Sequence, residues 1–246
     1  NGRAAAAAAR HLKESGFTPD IIVGHPGWGE MLFLDQVFPA CPQLQLGELY
    51  YHTRHSDVDF DPEFSVLDFD RQLNIRAMNL HLATNYAHAA RIVSPTHYQA
   101  GLLPEAFRSQ VRVIHEGIDT SITRRISPIS LRLANGKSLD GSFPVVTFAN
   151  RFFEPMRGFH RMMRALPHLL DTVPDVNVIM IGSEDCGGYG LAAPVGTTWK
   201  QFMLQELEGR LDLSRVHFVG QLPYAQFQKV LSASWAHVYL TYPFVL

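Results

Sequence analysis

Eight short apolar runs, at 21–24, 44–51, 91–94, 111–114, 145–149, 176–182, 216–220 and 236–241, are separated for most of the chain by segments of helical character. Two-residue turns can join only antiparallel strands, whereas parallel strands need crossovers of about a dozen residues or more. The spacing therefore favours parallel sheets, whose strands are covered on both faces and read as apolar runs rather than alternating ones. The helical segments fall at 3–15, 30–37, 70–90, 98–107, 158–170, 197–208 and 224–233. The alternation breaks between Ile118 and Gly141, where the period shortens to two around Asn135-Gly136, a strong hairpin signal. The expected architecture is α/β, with Rossmann-like parallel-sheet domains at 1–117 and 142–246 and a connector containing a hairpin at 118–141.

Both domains are expected to be incomplete. The chain opens on a helix with no strand before it and closes on an apolar strand with no helix to cover it. An open edge of that kind invites aggregation. With 46% hydrophobic residues and a net charge of −2, the chain has a globular composition and lacks the basic excess typical of nucleic-acid binding. Cys41 and Cys186 are too few for a disulfide framework or a thiolate zinc site, so a reducing, cytoplasmic setting is the default. His52 and His55, or His81 and His88, lack a third ligand at set spacing, and no metal site is expected.

The segment Ala149-Asn-Arg-Phe-Phe-Glu-Pro-Met-Arg-Gly158 carries the most chemistry. A strand runs into Arg151, and Pro155 is expected to open a helix with Arg157 in its first turn. A cation there opposes the helix dipole, and an anion bound at the helix N-terminus would offset it. Two arginines beside such a terminus suit a diphosphate. Further along, Arg161 and Arg164 share a face opposite Phe159, Met162, Met163, Leu166 and Leu170, and read as a solvated helix surface.

This segment resembles the donor loop of family 4 glycosyltransferases, which are retaining enzymes of the GT-B fold. The resemblance spans about residues 18–246 and matches Arg151, Glu154, Pro155, Arg157 and Gly158, with Met156 departing where a polar or aromatic residue is usual. It implies two domains facing a cleft and a metal-independent transfer of sugar from a nucleotide-sugar to a glycan, lipid or small-molecule acceptor. The nucleotide-sugar is a co-substrate, and no other cofactor is implied. Arg151 and Arg157 would hold the donor diphosphate, with Glu154, Gly158, Gly182 and Leu222 nearby, Leu222 lying in the Phe218–Pro223 segment that resembles the nucleobase contact. His25, after the first strand, would act at the sugar, and Gly27, Trp28 and Gly29 would form an acceptor or donor loop. The bland alternative for His25 is a cap on its own loop. The resemblance also leaves room for peripheral contact with the inner face of the membrane.

The remaining signals are weaker. Gly187-Gly188-Tyr189-Gly190 lacks the order of a dinucleotide fingerprint and the lysine of a P-loop. Gly117 and Asp119 read as a turn, and the acidic stretch from Asp57 to Glu63 as a solvated loop. Another GT-B enzyme, such as a sugar-nucleotide epimerase, or a non-catalytic carbohydrate-binding module would share these features. Because the segments that complete the donor site in the family would lie beyond Leu246, these 246 residues alone are expected to transfer no sugar.

Overall fold

The computed structural model describes residues 1–64, 67–127, 129, 131–133, 136, 138–185 and 190–243. They form two compact units, Asn1–Gly117 and Ile118–Tyr242. The first holds a four-stranded parallel sheet in the order β1 (Ile22–Gly24), β2 (Gln43–Leu46), β3 (Arg91–Ser94), β4 (Val111–Val113). Its helices are α1 (Gly2–Glu14), α2 (Leu34–Val37), α3 (Phe69–His88), α4 (His97–Leu102) and α5 (Glu105–Arg108). Asp68 caps α3 by accepting the Arg71 N–H, and Thr96 caps α4 by accepting the Gln99 N–H. Leu82, Tyr86, Ala89, Ile92 and Leu103 form a core between α3 and the sheet.

The second unit runs β5 (Val145–Phe152), a 3-10 turn (Pro155–Arg157), α6 (Phe159–Thr172), β6 (Asn177–Ser183), α7 (Trp199–Glu206), β7 (Val216–Gly220), α8 (Tyr224–Ala233) and β8 (Ala236–Val238). Its parallel sheet has the order β7-β6-β5-β8. Beginning at β5, the chain adds β6 and β7 on one side and then crosses to place β8 on the other. The carboxyl ends of β5 and β8 thus mark the topological switch point, where open α/β sheets bind ligands. Residues 118–141 fall within this unit, and Leu133 and Leu139 belong to its core with Val145, Ile179, Ile181, Val230 and Ala233. Arg132 bridges Ser138 in antiparallel fashion, as the hairpin signal requires, although Asn135 lies outside the described residues.

Several elements differ from the sequence expectation. The first strand is not covered on both faces: β1 is an edge strand, Val23 is 69% exposed, and Ile21 just before it is exposed too. Of the helix expected at 30–37 only Leu34–Val37 forms, because bonds such as Leu32 N–H to Gly29 O make isolated turns that do not propagate. The second strand stops at Leu46, since the Glu48 carbonyl is taken by the Gln99 side chain (2.9 Å) rather than by a ladder partner. β8 ends at Val238, short of the expected 241.

The stripe on α6 is buried as its periodicity requires: Phe159, Met162, Met163, Leu166 and Leu170 all lie inside. Arg164 is not a solvated cation, because it grips Glu206 of α7 through two bonds of 2.6 and 2.8 Å. Leu166 is 0% exposed, so Leu166→Ala is expected to lower the unfolding free energy by about 2–5 kcal/mol. Leu12→Ala, at a half-exposed position, is expected to change it by less than about 0.5 kcal/mol. Urea denaturation of the two variants beside the wild type checks the contrast.

Candidate functional site

At the switch point, β5 carries a bulge. Ala149 pairs with Ile181 and Phe152 with Ser183, so Asn150 and Arg151 together oppose the single residue Gly182. A side chain at Gly182 would meet the Asn150 carbonyl at 2.6 Å and the Phe153 ring at 2.9 Å, which explains why glycine stands there. Bulges re-aim side chains at sheet ends. Arg151 is exposed, lies with its Cζ 5.4 Å from the Phe152 ring centroid, and has no ion pair among the described residues. Its carbonyl accepts the Gln221 side-chain amide at 3.3 Å, tying the loop to the end of β7.

Beyond the bulge the chain turns inward. Phe153 is buried, stacks on Phe159 at 4.6 Å and meets Phe218 edge-on at 5.8 Å. Glu154 is also buried, at 4% exposure. One of its oxygens accepts the Gly190 N–H at 2.9 Å, and the other lies 3.5 Å from the Arg157 Nε. Burial pushes the Glu154 carboxyl above its usual range, against the opposing pull of Gly190 and Arg157.

This geometry corrects the expectation for Arg157. The residue sits in the 3-10 turn, and α6 starts at Phe159 after Gly158, so Arg157 does not oppose the α6 dipole from within its first turn. Glu154 lies beside it as a counter-charge, 3.5 Å from its Nε, so the place of Arg157 does not require a bound anion. Gly158 adopts φ 74°, and an added Cβ would collide with Leu240, whose carbonyl lies 2.8 Å away. The segment after β8 is held against the same turn by the Tyr242 N–H, which donates to the Met156 carbonyl at 2.9 Å. Met156 itself is buried, which accounts for its apolar side chain. Leu222 is half-buried against the core of this unit. Residues 187–189 of the glycine-rich stretch lie outside the described residues.

In the first unit, His25 follows β1 directly. Its Nδ1 accepts the Gly27 N–H at 3.0 Å, so the ring proton sits on Nε2, which donates to Glu48 Oε2 at 2.7 Å. Both ring nitrogens thus have partners within the chain, Nδ1 through the loop it caps and Nε2 through Glu48. The hydrogen bond to Glu48 raises the His25 pKa, and burial offsets part of the rise. A Cβ on Gly27 would overlap the imidazole, and His81 of α3 fixes the same glycine through its carbonyl at 3.0 Å. Gly29 closes the loop at φ 85° with its N–H on the Pro26 carbonyl, leaving Trp28 63% exposed.

Sequence reasoning missed Glu48. Its signal was an acidic residue inside the expected strand 44–51, and pairing it with His25 required both the end of β2 at Leu46 and the register in which Gly24 lies opposite Gln45. The acidic loop is also not simply solvated: Asp59 accepts the N–H groups of His55 and Ser56 at 2.9 Å each, and Asp61 is buried. The Gly117 and Asp119 reading holds, because Gly117 donates to His115 Nδ1 and Asp119 accepts from Ser121.

Residues 1–123 match the description of the glycosyl transferase family 4 group. The chain belongs to that family. It is similar to the phosphatidyl-myo-inositol mannosyltransferase of Propionibacterium freudenreichii subsp. shermanii, at 27% identity over 148 residues, which are 59% of this chain and 35% of that protein. Among solved structures it resembles the Anabaena protein HepE in complex with UDP and glucose, with a TM-score of 0.58, 17% identity, and 98% of this chain covering 57% of that one. It also resembles apo OtsA, with a TM-score of 0.60, 11% identity, and 98% of this chain covering 56% of that one. These likenesses establish the fold, which is of the GT-B class. The family 4 chain spans about a third of the curated relative and somewhat over half of these solved structures. The family match ends before Arg151, so the loop from Arg151 to Gly158 is described by its own geometry.

The buried Glu154 supplies a test by pH. Its folded-state pKa lies above its ordinary 4.5, so the folded protein binds this proton more tightly than the unfolded chain does. The Glu154 contribution to stability is greatest below pH 4.5 and declines as pH rises through the folded-state value. Glu154→Gln is therefore expected to cost less stability at neutral pH than at the acid end of that window, and paired urea titrations read the difference.

Proposed function

We propose that this chain contributes the nucleotide-sugar site of a glycosyltransferase that moves a hexosyl group to a glycan, lipid or small-molecule acceptor. The observation that carries the reading is Arg151, an unpaired cation among the described residues, presented by a bulge at the switch point of the second sheet. Arg157 stands six residues on in the same loop, already oriented by Glu154. Guanidinium groups meet phosphate oxygens in bidentate fashion and need no deprotonation step. In the transfer, the bond from the anomeric carbon to the diphosphate oxygen breaks and the acceptor oxygen bonds to that carbon. The acceptor proton leaves with the diphosphate. The arginines stabilise the charge that develops on the leaving group, a task for which fixed cations suffice without a metal. Retention of configuration belongs to the same proposal.

Two relatives support the donor class. HepE is bound to UDP and glucose, and the Propionibacterium relative is a mannosyltransferase whose name gives a phosphatidyl-inositol lipid. No helix among the described residues is long and apolar enough to cross a membrane. On this reading a lipid acceptor is met by peripheral contact with the inner face of the membrane.

The test is calorimetric titration of the full-length protein with UDP, GDP and ADP. Arg151→Ala is expected to weaken the preferred nucleotide by about 1.5–3 kcal/mol, the scale of a charge-assisted hydrogen bond. Equal affinity of wild type and variant for all three nucleotides would sink the assignment.

A further inference from the structure

At the carboxyl edge of the first sheet, the histidine is not the group with bonding capacity to spare. His25 Nε2–H is committed to Glu48 and Nδ1 to the Gly27 N–H. Glu48 uses one oxygen, Oε2, for the imidazole, and its Oε1 accepts no hydrogen bond among the described residues. Its side chain is 37% exposed, so that oxygen is not lost to the interior. We propose that Glu48 Oε1 is the ligand-binding atom at this edge, accepting a hydroxyl of a pyranose or polyol, with His25 acting as the positioning residue that orients the carboxylate.

The surroundings hold Glu48 in one pose. Its backbone carbonyl receives the side-chain amide of Gln99, which is 1% exposed and is itself bonded to the capping hydroxyl of Thr96. His25 is fixed in turn by its own loop: Gly27 gives its N–H to Nδ1 and its carbonyl to His81. A carboxylate that already accepts one N–H has part of its charge offset, which suits a neutral hydroxyl donor better than a second cation. A few oriented polar groups beside aromatic surface make up the usual lining of a small-molecule site. Trp28, on the loop that His25 anchors, supplies an exposed indole. The proposal rests on the glycosyltransferase reading for the class of ligand and on this geometry for the residue.

The experiment is NMR on the full-length protein, with methyl α-glucopyranoside and methyl α-mannopyranoside as probes. The resonances followed are the His25 ring nitrogens and the Trp28 indole N–H. In the wild type at least one glycoside is expected to produce saturable shifts at both residues, with His25 keeping its Nε2–H tautomer. Glu48→Gln can still accept from His25 through its carbonyl oxygen, but it offers the ligand an NH2 group in place of an acceptor. It should weaken binding tenfold or more while the tautomer persists. Glu48→Ala should do the same and serves if the glutamine variant does not fold. Absence of shifts with both glycosides, unchanged affinity in the variants, or a ligand-induced move of the His25 proton to Nδ1 would each overturn the proposal. Nucleotide titration of the wild type reads the donor site separately, so failure there and failure here are told apart.

Discussion

The loop that follows β5 depends on a carboxylate buried where carboxylates are costly. Glu154 is removed from water and its charge is opposed by desolvation, yet three parts of the second unit converge on it or beside it. Arg157 approaches from the 3-10 turn and Gly190 from the segment after β6. Phe153, its neighbour, packs into the ring cluster with Phe159 and Phe218. A half-satisfied buried charge costs several kcal/mol, whereas a paired one fixes its partners in a single arrangement. Glu154 thereby turns a mobile cation, Arg157, into an oriented one. The apolar rings then set the depth to which the loop can sink.

The bulge solves the complementary problem of presenting Arg151 outward at the end of a strand that buries Val145, Thr147 and Phe148. A regular strand would continue the alternation of sides, and the extra residue changes where the arginine points. The distortion requires room on the neighbouring strand, and Gly182 supplies it by having no Cβ to strike the Asn150 carbonyl. Gly182 is thus tied to the presentation of Arg151 through the shape of the backbone.

The first unit shows how neighbouring strands assemble chemistry from unremarkable residues. His25 after β1, Glu48 after β2 and Gln99 on α4 after β3 are far apart in sequence, and a parallel register brings them into one hydrogen-bonded row. Each bond limits the next: Gln99 holds the Glu48 backbone, Glu48 selects the imidazole tautomer with Gly27, and His81 holds the loop. Both ring nitrogens of His25 are engaged in this row, whereas Glu48 Oε1 accepts no hydrogen bond among the described residues.

Much of this was legible in the chain alone. Apolar runs separated by helix-length segments fixed parallel sheets, since no shorter connection can return a strand in the same direction. The stripe from Phe159 to Leu170 fixed which side of α6 is buried, and the apolar run at 145–149 marked the strand that leads into Arg151. These are local properties, written in period and spacing. What the tertiary structure decided were contacts across sequence distance. Arg157 is paired with Glu154 before α6 begins, Arg164 is claimed by Glu206, and His25 is consumed by Glu48 and Gly27. None of these follows from periodicity, because each depends on register, on a bulge, or on which helix packs beside which. Sequence names the groups that can carry charge and hydrogen bonds; only the packed chain determines which of them are already spent.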